Sequence, residues 1–370
     1  MKRVLLCVSS DVVTDQRVIR HCHCLINQGF NVHVIARKTA NSLDLPDVPF
    51  RVTRFSMVFQ KGPLFYLFFN LRLLGFLMIQ PKSVLWANDL DTVFPCYLLK
   101  KMKRQRMVFD AHELFTEVPE LENSRFKKKI WCWIERNVAI KADLLLTVNR
   151  SLAAQFRARY NKTFEVVRNV PVPIQVAAEV RREDLGISEN VLICILQGSG
   201  LNQGRGLLET VQAFRFLDDV VLFVIGSGNA LHEAKALCGE LGLQDQIKFI
   251  PRLPYASMMA YTQISDVGLA FDTHPCLNFH LALPNKIFDY FQAGIAVLCG
   301  PQPEIKNLVQ GYDCGYVMDQ ITPEIIAQQL KLMKDNPTEL ARMKNNSRNA
   351  ASLETWEAEQ AHLNAFIQKI

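Results

Sequence analysis

The sequence predicts an α/β protein built from two doubly wound domains in series, and three observations predict it. Short, almost wholly apolar runs of strand length recur along the chain, beginning with KRVLLCVS at residues 2–9, and stretches of helical length separate them. Strands that alternate with helices build parallel sheets covered on both faces. The series is interrupted at Asn169-Val-Pro-Val-Pro173, whose two prolines suit neither a central strand nor a helix interior. At 370 residues the chain is long for one core and comfortable for two.

Taken in order, the opening strand leads through a polar loop into a helix from about Asp15, which Gly29 closes before a strand at Asn31–Ala36. Further strands are expected at 50–55, 83–87, 106–109, 143–148 and 163–167. The second half repeats the grammar, with strands at 191–197, 220–225, 246–250, 266–271, 295–299 and 314–318. Its expected helices lie at 204–216, 230–241, 255–263 and from about 285 to Gly294. The tail, 321–370, is helical in pattern. The expected division is 1–170, 171–350, and a C-terminal helix in 351–370 packing back on the first domain.

Composition excludes several classes. With 49% hydrophobic and 21% charged residues, 17 Gly and 16 Pro, no long disordered segment is expected. The net charge of +6 is mild and does not call for a nucleic-acid partner. Ten cysteines without a C-x-x-C pair, and no N-terminal signal pattern, fit reduced core thiols of a cytoplasmic protein. His21-Cys22-His23-Cys24 is not read as a metal site, because helix neighbours one and two apart point to different faces; Cys22 is expected on a buried face with Val18, Leu25 and Ile26. Pro63–Ile79 is strongly apolar but short for a membrane span and carries Asn70 and Arg72. Together with the basic runs Lys100–Arg106 and Arg125–Lys129 it fits a peripheral contact with an anionic membrane, and an ordinary core helix fits it equally well.

Chemistry concentrates in three places. In LPNKIFDYFQAGIAVLC (283–299), Asn285 and Lys286 open a short helix, whose free N–H groups suit an anion. Lys286 would meet the phosphates of a nucleotide-sugar diphosphate, and Asp289, one turn on, the ribose hydroxyls. In QGSGLNQGRG (197–206), a strand runs into a glycine-rich loop whose Arg205 can pair bidentately with a diphosphate. The next strand ends at Gly226-Ser-Gly-Asn229 without the acid a nicotinamide enzyme usually needs, which demotes a dehydrogenase. The donor-side set is completed by Ser199, Gly200, Asn202, Gly226, Gly228, Arg252 and Leu253. In the first half, Asp110-Ala-His112-Glu113 puts His112 just past a buried strand, a place for polar work. Asn88-Asp89-Leu-Asp91 contains a D-x-D; it directly precedes a helix, so N-capping explains it and no metal is expected.

Several stretches together are more specific. TDQRVIRHCHCLINQGFNVHVIAR (14–37), WANDLDTVFPCYLLKK (86–101), FDAHELFTEVPEL (109–121), VVRNVP (166–171), QGSGLNQGRGL (197–207) and LPNKIFDYFQAG (283–294) resemble, in the same order, bacterial family-4 glycosyltransferases. The resemblance implies the GT-B fold, two Rossmann-like domains facing across a cleft, and retaining transfer of a sugar from a nucleotide diphosphate sugar to an acceptor hydroxyl. It implies Arg205 on the donor diphosphate, Asp289 as the second acid of the family's E-x7-E motif, and His112 near the transferred sugar. The loop Ser10–Arg17 matches the one that meets the acceptor, so Thr14, Asp15 and Arg17, with Asn88, Asp89 and Glu113, form the expected acceptor side. The sequence departs from the pattern at Leu281, where the first acid should stand, at Asp289 in place of glutamate, and at Arg205 in place of the commoner lysine. It also lacks the glycines usual in the loop at 9–13. Asp272 is a candidate to replace the missing acid. The expected partners are a nucleotide-sugar donor and a saccharide or lipid-linked saccharide acceptor of cell-surface polysaccharide or lipopolysaccharide synthesis, with no metal and no other cofactor. A sugar-nucleotide epimerase of the same fold and a binding protein that has lost catalysis are the alternatives.

Overall fold

Apolar runs with no room for alternation become strands only where both sheet faces are covered, and this is how the chain folds. The computed structural model describes residues 2–370 except 41, 43, 123, 175 and 177–179; the side chain of Thr14, expected on the acceptor side, also lies outside the described set. Two compact units result, one of residues 1–169, 276–278 and 356–370, the other of 170–275 and 279–355.

The first unit holds a parallel seven-stranded sheet of β1 (Arg3–Cys7), β2 (Asn31–Lys38), β3 (Arg51–Ser56), β4 (Val84–Asn88), β5 (Met107–Ala111), β6 (Leu144–Thr147) and β7 (Glu165–Val166). Its order, β3-β2-β1-β4-β5-β6-β7, reverses direction between β1 and β4. At such a switch point the loops after the two central strands part and leave a crevice at their carboxyl ends. The covering helices are α1 (Gln16–Asn27), α2 (Gly62–Ile79), α3 (Val93–Lys103), α4 (Arg125–Asn137) and α5 (Arg150–Tyr160). Asp15 caps α1 by accepting from the Val18 amide at 3.2 Å, and on its buried face lie Val18, Cys22 and Leu25, with Ile26 partly covered.

α2 buries Phe65, Phe69, Leu73 and Leu77, each worth about 2 kcal/mol of transfer free energy. Its other side exposes Leu64, Leu67, Phe68, Leu71, Met78 and Ile79. Among the described residues it is the one helix long and apolar enough to span a bilayer.

The second unit holds a parallel six-stranded sheet of β8 (Leu192–Gly198), β9 (Val220–Gly226), β10 (Ile247–Pro251), β11 (Val267–Ala270), β12 (Ala296–Cys299) and β13 (Gly315–Val317), in the order β10-β9-β8-β11-β12-β13. Here the switch point falls between β8 and β11. The helices are α6 (Leu207–Ala213), α7 (Leu231–Glu240), α8 (Tyr255–Ile264), the short α9 (Leu277–His280, its first two residues counted with the first unit), α10 (Lys286–Ala293), α11 (Pro303–Gly311), α12 (Pro323–Asp335) and α13 (Pro337–Leu353). Where the sequence predicts a helix from 204, the helix starts at Leu207, because Gly204 and Gly206 take positive φ (78° and 73°) and make residues 204–206 a turn.

The final helix, α14 (Trp356–Ile367), belongs to the first unit. Trp356, Leu363, Phe366 and Ile367 join Val4, Leu6 and Trp86 in its core, and buried Glu359 accepts from the Arg168 amide and Nε, both at 2.7 Å.

Candidate active site

In the second unit the loop after β8 and the loop after β11 meet at the switch point. The amides of Thr273 and His274 both donate to the Gly204 carbonyl, at 2.8 and 3.2 Å. A Cβ on Gly204 or Gly206 would fall 2.6 Å from the His274 Cβ or 2.4 Å from the Phe271 Cβ, so only glycine allows this approach. Arg205, between them, lies over the Phe279 ring at 3.4 Å from its centre and places Nη1 2.6 Å from Oδ1 of Asp272. Lys286, at the first turn of α10, is half-buried and within electrostatic reach of Asp272, Arg205 and Asp289. Burial and the Arg205 charge lower its ammonium to about 8, against the pull of Asp272. The structure brings Arg205 and Asp289 within electrostatic reach of Lys286, with Asp272 beside Arg205.

Two expectations for α10 are corrected. Its free amides are fewer than a bare helix start provides: Ile287 donates to the Pro284 carbonyl and Phe288 to that of Asn285, at 3.2 and 3.0 Å, while the exposed Asn285 makes no side-chain cap. Asp289 is not a vacant acceptor. Its Oδ1 accepts from Tyr255 Oη at 2.7 Å and its Oδ2 from Gln197 Nε2 at 3.0 Å, while Thr262 fixes the Gln197 amide by donating to its oxygen at 2.7 Å. Gln197, the polar residue closing an otherwise apolar strand, was the available signal for this support; Tyr255 gave none.

The remaining donor-side residues line the same carboxyl edge. The Asn202 side chain accepts from the Asn229 amide at 3.1 Å, and Ser199 offers its carbonyl to Ser227 Oγ at 3.3 Å. Gly226 and Gly228 stand where a Cβ would strike Gly198 or Leu201 backbone at 1.8 and 2.1 Å, so they lock the two loops together, whereas Gly200 faces open space. Arg252 is exposed just past β10, and Leu253 packs against the core.

In the first unit a charged cluster occupies the corresponding edge. Arg17 is 3% exposed; it grips Asp110 through Nε and Nη2 at 3.1 and 2.8 Å and gives Nη1 to the Val167 carbonyl. Three of its five N–H donors are thus engaged inside the unit, and it positions Asp110. The His112 ring sits between two carboxylates, Nδ1 3.3 Å from Asp89 and Nε2 3.3 Å from Asp110. Burial disfavours its charge, but Asp89 and Asp110 outweigh burial and lift it to about 9, making it a cation at neutral pH. Buried His21, 3.4 Å from Asp110, is held neutral by burial and by Arg17.

The D-x-D does not cap a helix. Asp89, at a φ of 58°, makes no side-chain cap bond; its Oδ1 accepts from the His112 amide at 2.8 Å. Asp91 accepts from Ser9 Oγ across the switch point, leaving its Oδ1 without a donor among the described residues. Burial pushes both carboxyls up to about 6. Asn88 is buried and donates to the Cys7 carbonyl at 3.1 Å; Asp15 is the α1 cap. Glu113 accepts from Asn278 Nδ2 at 2.9 Å and is pushed up to about 7 by burial and then by Asp89.

Comparison with known proteins places this geometry. The family described as glycosyl transferases group 1 matches residues 180–350, and that described as glycosyltransferase family 4 matches 15–174. No curated protein sequence matches. Among solved structures, sucrose-phosphate synthase from Thermosynechococcus elongatus superimposes with a TM-score of 0.81 at 14% identity, covering 100% of this chain and 99% of its own. Anabaena Alr3699/HepE, in complex with UDP and glucose, gives 0.74 at 13% identity with 100% of both chains covered. WaaG, a glycosyltransferase involved in lipopolysaccharide biosynthesis, gives 0.68 at 16% identity, covering 98% and 99%. These likenesses establish the GT-B fold.

Proposed function

From the premise that the chain belongs to the group 1, family-4 glycosyltransferases and is a glycosyl-transferring enzyme, we propose that it moves a sugar from a nucleotide diphosphate sugar to an acceptor hydroxyl with retention at the anomeric carbon. One observation carries the proposal: Arg205, paired with Asp272, and Lys286, within electrostatic reach of both, lie 81 positions apart in sequence and come together at the switch point of the second sheet. Two cations there offset the charge that grows on the diphosphate as its bond to the sugar breaks. Asp289, oriented by Gln197 and Tyr255, accepts from the ribose hydroxyls. UDP and UDP-glucose complexes of Alr3699/HepE support this donor class.

The bond from the anomeric carbon to the diphosphate oxygen breaks, and the bond to the acceptor oxygen forms on the same face. The acceptor proton passes to a diphosphate oxygen. In the first unit, cationic His112 attracts substrate oxygens by its charge and orients the donor sugar, with Asp89, Asp110 and Arg17 fixing its charge and orientation. Glu113 and the spare oxygen of Asp91 accept from acceptor hydroxyls.

The acceptor is a saccharide or lipid-linked saccharide of cell-surface polysaccharide or lipopolysaccharide synthesis, met by a cytoplasmic enzyme at the inner face of the membrane. The exposed side of α2 supports this placement, as does α4, where Phe126, Ile130 and Trp133 stand exposed among Arg125, Lys129 and Arg136. The test is donor turnover by Arg205→Ala. A loss on the order of a hundredfold with an unchanged melting temperature is expected; wild-type turnover would remove Arg205 from the reaction.

A further inference from the structure

We propose that Asp272 is a built-in electrostatic substitute for the donor's diphosphate, which weakens nucleotide binding and so speeds release of the nucleoside diphosphate product. The inference rests on the reading above, in which Arg205 and Lys286 hold the diphosphate. Asp272 follows β11, one of the two strands at the switch point, and its side chain is 5% exposed. Its position is fixed by its own backbone: the carbonyl accepts from Gln302 Nε2 at 2.9 Å, and the next two residues are tied to Gly204. The carboxylate cannot follow a moving arginine. The arginine, set between two glycines in a turn, is laid against Phe279 with its Nη1 on Asp272, and about a quarter of its side chain stays accessible.

Lys286 lies beyond ion-pair distance but within electrostatic reach of the same carboxylate, so one anion acts on two cations. A carboxylate and a phosphate make the same demand on a guanidinium, two acceptor oxygens in the plane of the fork. With Asp272 in place, an arriving diphosphate competes with an anion that is already there. Two unopposed cations at a desolvated site would hold the product tightly, and product release limits many enzymes of this kind of cycle. Asp272 shifts the balance: when the nucleotide leaves, Arg205 returns to a partner instead of being left unpaired, and Lys286 keeps an anion within electrostatic reach.

The test is calorimetric titration of wild type and Asp272→Asn with inorganic pyrophosphate, UDP, GDP and ADP, together with steady-state kinetics on the matching nucleotide sugar. Asp272→Asn is expected to bind pyrophosphate and the preferred nucleotide about tenfold tighter, the size expected for deleting one close, partly buried charge. Its KM for the donor should fall together with kcat. Asp272→Glu, which keeps the charge, should bind as wild type does, and Asp272→Ser repeats the measurement should the asparagine variant fold poorly. Unchanged or weaker binding by well-folded Asp272→Asn and Asp272→Ser would overturn the inference while leaving the diphosphate site standing. Failure of wild type to bind any of the four probes would overturn the diphosphate site itself, and the inference with it.

Discussion

Lys286 gives the proposed donor site a pH signature. Its ammonium, lowered to about 8 by burial beside Arg205, is charged below that pH and neutral above it. Because kcat/KM reports the free enzyme, kcat/KM for the donor should fall as pH rises through about 8. Lys286→Arg keeps its charge throughout this range, so its profile should hold to about 9, where His112 loses its proton. A limb that stays near 8 in the arginine variant would show that another group sets it. At this scale the sequence was only partly legible. Motif position singled out Arg205, Lys286, Asp289 and His112, but partners of the donor-side residues lie too far away in sequence for any spacing to report: Asp272 is 67 residues from Arg205, and Gln197 is 92 from Asp289. The D-x-D was misread as a cap because capping is judged from local sequence, whereas Asp89 is spent on the His112 amide 23 residues on.

At the scale of elements, the central strands were easy to read because they are buried on both faces and thus nearly all apolar, as at Val84–Asn88 and Val220–Gly226. Edges were harder. The strand expected at 163–167 shrinks to Glu165–Val166 at the sheet margin, and the expected helix start at 204 gives way to the turn that presents Arg205. α2 could not be resolved from its sequence, since a helix apolar on all sides shows no face; the fold buries one stripe and leaves the other uncovered. The uncovered stripe makes a prediction for the element. The protein should sediment with vesicles containing phosphatidylglycerol more than with pure phosphatidylcholine, and Leu67→Ser/Leu71→Ser should weaken that binding about tenfold by removing apolar area from the lipid contact. Equal sedimentation of variant and wild type would exclude α2 as the contact.

At the scale of the whole molecule, two sheets that each reverse direction beside their first strand create a crevice at the carboxyl ends of β1 and β4 and another at those of β8 and β11. The charged side chains collect there: Asp89, Asp91, Asp110 and His112 in the first unit, Arg205, Asp272, Lys286 and Asp289 in the second. That alternating grammar was written in the sequence from residue 2 onward. What it could not carry was which polar residues meet, because loops after strands far apart in the chain converge only once the sheet order is set.

In the proposed reaction the second unit grips a nucleotide diphosphate sugar through Arg205 and Lys286, and a thermal-shift panel measures that grip. Wild type and Arg205→Ala would be heated with UDP-, GDP- and ADP-sugars. A ligand at a hundred times its Kd adds about 2.7 kcal/mol, so one base should raise the wild-type melting temperature by several degrees and leave Arg205→Ala nearly unmoved. No shift with any donor, or an equal shift in the variant, would contradict the account.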